Sequence, residues 1–100
     1  IILDPPAFAK HKKVLNNALQ GYRKLNAKAF EKIRPGGILF TFSCSQVVSK
    51  ENFRLAVFSA AAQSGRNVRI LHQLTQPADH PVNIYHPEGE YLKGLVLYVE

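Results

Sequence analysis

Arg34-Pro35-Gly36-Gly37-Ile38-Leu39-Phe40-Thr41-Phe42-Ser43-Cys44-Ser45 runs a helix stop, a tight turn, an apolar strand and a cysteine together without a break. Proline and paired glycines end a helix and let the chain reverse. Ile38 to Phe42 is then nearly all apolar, which predicts a strand buried on both faces, as in a parallel sheet covered by helices. Upstream, Leu15, Ala18, Leu19, Tyr22, Leu25, Ala29, Phe30 and Ile33 recur at three- and four-residue steps, and this period predicts one amphipathic helix from Val14 to Ile33. Downstream, Ser49 suits an N-cap, Lys50 to Ser64 a second helix with Phe53, Ala56, Val57, Ala60 and Ala61 as its apolar stripe, and Gly65 its stop.

Outward from these helices the strands fall into place. Ile1-Ile2-Leu3 is an apolar run cut short by Asp4-Pro5-Pro6, and Asp4 to Lys13 reads as a proline-bearing loop, because neither proline can donate a ladder hydrogen bond. Asn67 to Thr75 alternates through Val68, Ile70, Leu71 and Leu74 as a strand does. Gln76 to Glu90 holds Pro77, Pro81, Pro87 and Gly89 and predicts a long loop, and Tyr91 to Val99 predicts a final strand. The order strand, helix, strand, helix, strand, loop, strand is that of an α/β fold with right-handed crossovers. Because the last two strands lack a helix between them, the expected sheet is mostly parallel with an antiparallel element at one edge.

Composition narrows the class. One hundred residues with 46% apolar content fit a single domain. Thirteen Lys and Arg against seven Asp and Glu give a formal charge of +6, which favours polyanionic partners without naming one. The single cysteine, Cys44, excludes an intrachain disulfide framework and a multi-cysteine zinc cage and fits a reducing cytoplasmic compartment. His11, His72, His80 and His86 show no paired spacing on an expected helix, so no metal site is expected. No apolar run reaches the roughly 20 residues that a bilayer demands, and a soluble protein is expected. An apolar strand at the very start, in a sequence without methionine, leads us to expect that an upstream portion precedes this one.

In open sheets of this class, ligands bind outside the carboxyl ends of the strands. Two such ends carry chemistry here. Asp4-Pro5-Pro6-Ala7-Phe8 offers a carboxylate, carbonyls that no local N–H can claim, and an aromatic ring able to stack on a planar base. The same string also reads as an ordinary turn, with Asp4 capping local backbone and Phe8 in the core. An isolated cysteine is by default a small buried hydrophobe, but Cys44 follows its strand instead of sitting within it. A thiol beside a substrate cleft, near basic groups, becomes a nucleophile if its pKa is lowered. Lys10, Lys12 and Lys13 form a basic cluster that is either solvated or set to meet phosphate.

DPPAF closing one strand, TFSCS closing the next, and the C-terminal run ADHPVNIYHPEGEYLKGLVLYV together resemble the cytosine-5 ribosomal RNA methyltransferases, over essentially the whole chain. The resemblance implies the C-terminal half of a Rossmann-like class I methyltransferase domain. It implies S-adenosylmethionine as cofactor and 5-methylcytosine in 23S ribosomal RNA as product, formed through a covalent cysteine intermediate. It makes Cys44 the nucleophile, and Asp4, Pro5, Pro6 and Phe8 the substrate-binding residues. The glycine-rich loop and the acidic residue that hold the cofactor lie upstream of the DPP motif in that family and are absent here. Gly36-Gly37 precedes a strand and is a turn. The 100 residues are therefore expected to be inactive alone and to bind the cofactor poorly.

Three alternatives stay open from the residues. A nitrogen methyltransferase would use DPPAF to hold an amine and leave Cys44 structural. A basic module would bind nucleic acid without catalysis. A strand edge left unpaired at Ile1 to Leu3 would invite a homodimer.

Overall fold

The computed structural model describes residues 1–6, 15–76, 81–85 and 91–100. Its elements are β1 (Ile2–Leu3), α1 (Leu15–Lys32), β2 (Gly37–Ser43), α2 (Lys50–Ser64), β3 (Val68–Leu74) and β4 (Lys93–Val99). The second helix begins and ends where local chemistry directs. The Ser49 hydroxyl accepts the Asn52 N–H at 3.0 Å, satisfying one of the donors that a first helical turn leaves open. Gly65 closes α2 with φ of 72°, a left-handed conformation that costs a residue without a Cβ nothing. Ile33 still donates its N–H to the Ala29 carbonyl at 2.8 Å, so the last turn of α1 runs to the expected end.

The strand order is β1-β2-β4-β3. β1 pairs with β2 in parallel, and β4 pairs antiparallel with both β2 and β3. This corrects the expected edge position of the antiparallel element: β4 lies inside the sheet, and the described sheet is mixed. The physical reason is burial. β4 is buried at Lys93 to Leu97 and at Val99, with Leu95, Leu97 and Val99 facing one side and Gly94 and Val96 the other. A strand apolar on both faces belongs between neighbours. β3, with Arg69, His72 and Gln73 exposed, tolerates the edge. Its apolar alternation breaks because Ile70 faces Leu97 while His72 faces Val96, which leaves Leu71 as the extra residue of a bulge.

Both crossovers step the same way across the sheet, and right-handedness therefore puts α1 and α2 on one face. The core lies there: Ala18, Tyr22, Ala29, Phe30 and Ile33 of the first helix region, Phe53, Ala56, Val57 and Ala60 of α2, and Leu39, Leu95, Leu97 and Val99 beneath them. The expectation that Ile38 to Phe42 is buried on both faces is corrected for the same reason. Leu39 and Thr41 are buried under the helices, whereas Phe40 is exposed and Ile38 and Phe42 are half-buried on the other face. Leu25 is also only half-buried, and Asn26 takes the buried place beside it.

Arg66 ties the far end of this layer together. Its guanidinium donates to the carbonyls of Phe30 and Ile33 at the end of α1 and to the Glu100 carbonyl after β4. Basic side chains commonly satisfy such leftover helix carbonyls. We expect Arg66→Met to lower stability by about 2 kcal/mol, the scale for charge-assisted hydrogen bonds in a part-exposed setting. Urea unfolding checks this, and an unchanged midpoint would show that water replaces the bonds at no cost.

Candidate functional site

Parallel pairing of β1 with β2 brings two carboxyl ends to the same end of the sheet. Leu3 faces Thr41, so Asp4 emerges level with Phe42, and Cys44 follows two residues later on the adjacent strand. Strand spacing and rise put their Cα atoms on the order of 8 Å apart if both chains continue extended. Asp4 and Pro6 are exposed and Pro5 is half-buried. Neither proline has an N–H, so the ladder ends here and leaves carbonyls for other donors. Because β4 runs antiparallel, its first residue arrives at this end too, with Lys93 opposite Ser43.

Burial alternates through the cysteine motif. Thr41, Ser43 and Ser45 are buried, while Phe42 and Cys44 between them are half-exposed. The two serines anchor the turn from below. Ser43 Oγ donates to the Tyr22 hydroxyl at 2.9 Å and accepts the Ser45 N–H at 3.4 Å. The Ser45 carbonyl accepts the Val48 N–H at 3.3 Å and Lys93 Nζ at 2.6 Å. Cys44 is a free, half-exposed cysteine held by its neighbours at the end of the strand instead of being packed within it. Such an arrangement leaves a thiol partly accessible at the strand ends.

The structure therefore brings Cys44, Asp4 and Pro5-Pro6 to one end of one sheet. Phe8, Lys10, Lys12 and Lys13 lie outside the described residues, as do His11, His80 and His86. His72 sits exposed in β3, level with Phe40 and separated from β2 by β4. Tyr22 and Lys93 support the site, and sequence patterns assigned neither of them a role in it. Tyr22 read as one more apolar position of α1, and its hydroxyl finds Ser43 across 21 residues of chain. Lys93 had a visible signal: a lone cation opening an otherwise apolar strand. No group of three or more His, Cys, Asp or Glu among the described residues is arranged to hold a metal ion, and no described helix is long and apolar enough to cross a membrane.

No protein-family model matches the chain. Over 97 residues it is 50% identical to the ribosomal RNA large subunit methyltransferase I of Tolumonas auensis, covering 97% of this chain and 24% of that protein. It is 48% identical over 99 residues to the protein of the same name from Pseudoalteromonas atlantica, covering 99% of this chain and 25% of that one. Among solved structures, SMU.776 complexed with SAH, described as a methyltransferase, matches with a TM-score of 0.81 at 24% identity, over 99% of this chain and 25% of that chain. A Streptococcus mutans protein described as a SAM-dependent methyltransferase matches with a TM-score of 0.80 at 20% identity, over 99% of this chain and 24% of that one. At these identities the structural likeness shows the fold alone: a methyltransferase-like α/β arrangement. The chain spans about a quarter of the length of the curated relatives it matches, and over that quarter it is similar to ribosomal RNA large subunit methyltransferase I.

Proposed function

We propose that this chain is the C-terminal part of the catalytic domain of a class I methyltransferase that forms 5-methylcytosine in large-subunit ribosomal RNA, with Cys44 as nucleophile. The observation that carries this is the half-exposed Cys44 at the carboxyl end of β2, flanked by two buried, hydrogen-bonded serines and adjacent to the Asp4-Pro5-Pro6 end of β1. The names of the relatives support an RNA substrate. Lys10, Lys12 and Lys13 are the residues we assign to its phosphates.

Cytosine carbon 5 is too weak a nucleophile to take a methyl group unaided. The Cys44 thiolate adds to carbon 6: a sulfur–carbon bond forms, and the carbon 5–carbon 6 π pair moves toward carbon 5, which becomes enamine-like. Asp4 and the proline carbonyls orient the ring by accepting from its exocyclic amine, and Phe8 stacks on its face. After methylation, loss of the carbon 5 proton returns the electron pair to the ring and breaks the sulfur–carbon bond. Cys44 leaves as the thiolate it began as. S-Adenosylmethionine, bound, supplies the methyl group as an electrophilic sulfonium. The described residues do not build a cradle for it, since Gly36-Gly37 joins helix to strand and Gly65 caps α2. We assign that cradle to residues outside this chain, which is why the 100 residues alone are expected to be inactive.

The test is incubation of the full-length protein with 5-fluorocytosine-substituted ribosomal RNA and adenosylmethionine, followed by denaturing electrophoresis. Fluorine at carbon 5 blocks release, so a covalent protein–RNA complex accumulates if Cys44 attacks. Methyl transfer to ordinary RNA without any trapped complex would favour a nitrogen methyltransferase.

A second, separate proposal concerns association. β1 is the edge of the described sheet, with Ile1 and Ile2 exposed, and such an edge can pair with a second copy. A mass measurement of the 100-residue chain at micromolar concentration decides it, and a monomer would remove the idea.

A further inference from the structure

Lys93 is 6% exposed and is the buried cation among the described residues. Removing an ammonium from water costs several kcal/mol unless its donors are used, so a lysine opening an apolar strand calls for a reason. The carbonyl it reaches, Ser45 O, also accepts the Val48 N–H at 3.3 Å, so the lysine is not needed merely to satisfy that oxygen.

Position supplies the reason. Lys93 faces Ser43 across the β2–β4 ladder, so its side chain lies on the same face as the Ser43 hydroxyl and runs past the strand end to Ser45. Cys44 lies between the two residues so held. Ser43 is fixed from the α1 side through Tyr22, and Ser45 from the β4 side through the 2.6 Å bond from Lys93 Nζ. Without Lys93 the Ser45 carbonyl keeps the longer 3.3 Å bond from the Val48 N–H, a looser hold on the peptide that carries the thiol. With the 2.6 Å bond from Lys93 as well, that peptide is held more tightly.

We propose that Lys93 is a positioning residue for Cys44, clamping the Ser45 carbonyl so that the thiolate meets carbon 6 of the target base on its attack line. This rests on Cys44 being the nucleophile. A misplacement of about 1 Å can cost about 10²-fold in rate when the reacting atoms must already be aligned.

The experiment is single-turnover formation of the covalent complex with 5-fluorocytosine RNA, run on the full-length protein and its Lys93→Met and Lys93→Arg variants, with RNA affinity measured in parallel. Lys93→Met should slow complex formation by about 10²-fold while RNA affinity stays within about threefold, because the lysine acts on alignment and not on RNA binding. Lys93→Arg, which keeps a cationic donor, should recover most of the rate. If Lys93→Met does not fold, Lys93→Gln takes its place, with the same slowing expected. A rate within threefold of wild type in a folded Met or Gln variant overturns the proposal, as does a loss of rate matched by an equal loss of RNA affinity. Absence of the complex in the wild-type protein has a different meaning: it removes Cys44 as nucleophile.

Discussion

Cys44→Ala in the full-length protein should abolish the covalent complex with 5-fluorocytosine RNA and lower methyl transfer to ordinary RNA by about 10⁴-fold or more, the scale on which covalent enzymes lose rate when the nucleophile is removed. In the proposed mechanism the thiol contributes the bond on which the chemistry depends, and neither alanine nor the hydroxyl of Cys44→Ser can replace it near neutral pH. The same substitution should leave stability within about 0.5 kcal/mol, since Cys44 is half-exposed and the turn is held by Ser43, Ser45, Tyr22 and Lys93. These two halves separate the alternatives for this residue. A structural thiol would show the reverse pattern, a measurable loss of stability with methyl transfer intact, and that result would favour the nitrogen-methyltransferase reading.

The helices were legible because their signals are local. A 3.6-residue period marked α1, and Ser49 and Gly65 fixed both ends of α2 where the structure has them. The four strands were legible as segments for similar reasons. Their order was not, because period and turn residues say that a strand exists but not which neighbours it takes. The deciding signal for β4 was present in Gly94-Leu95-Val96-Leu97, apolar on both faces, set against the polar Arg69, His72 and Gln73 of β3. Read as a contrast in burial, it puts β4 inside and β3 at the edge. The polar atoms of the core were harder to foresee. Asn26 Oδ1 and Thr41 Oγ1 are buried with no hydrogen-bond partner among the described residues, although each residue stands in an otherwise apolar stripe.

The candidate site divides along the same line. Cys44 and Asp4 were legible because each follows a strand, and parallel pairing needs only the crossover rule to bring their ends together. The bonds that hold Cys44 in place join residues 21 and 48 positions apart, and no local pattern encodes those distances. The site thus has a part written in strand ends and a part written in tertiary contacts. Substitutions in the core can reach the second part without touching the first.

Phe53→Ala tests that connection and should be the most destabilising single change in the layer beneath the site. The Phe53 ring is 1% exposed and meets Tyr22 edge to face, with centroids 5.5 Å apart and planes at 85°. Truncating a buried phenylalanine costs about 3–5 kcal/mol through lost transfer energy and the cavity left behind. The aromatic pair contributes about 0.5–1.5 kcal/mol beyond area alone. Against a typical domain stability of about 5–15 kcal/mol, this is a large fraction. Phe53→Leu fills much of the space and should cost no more than about 1.5 kcal/mol. Urea unfolding of both variants measures the difference, and a loss below about 1.5 kcal/mol for the alanine would mean that the neighbouring side chains close the gap. The functional consequence follows through Tyr22, whose hydroxyl accepts from Ser43 beside Cys44. With its ring support removed, Tyr22 can tilt, and Ser43 loses a fixed partner. Phe53→Ala should therefore slow covalent complex formation at a temperature where the protein is still folded, while Phe53→Leu holds the rate. Equal rates in the two folded variants would separate the core from the site and leave Cys44 oriented by the β4 side alone.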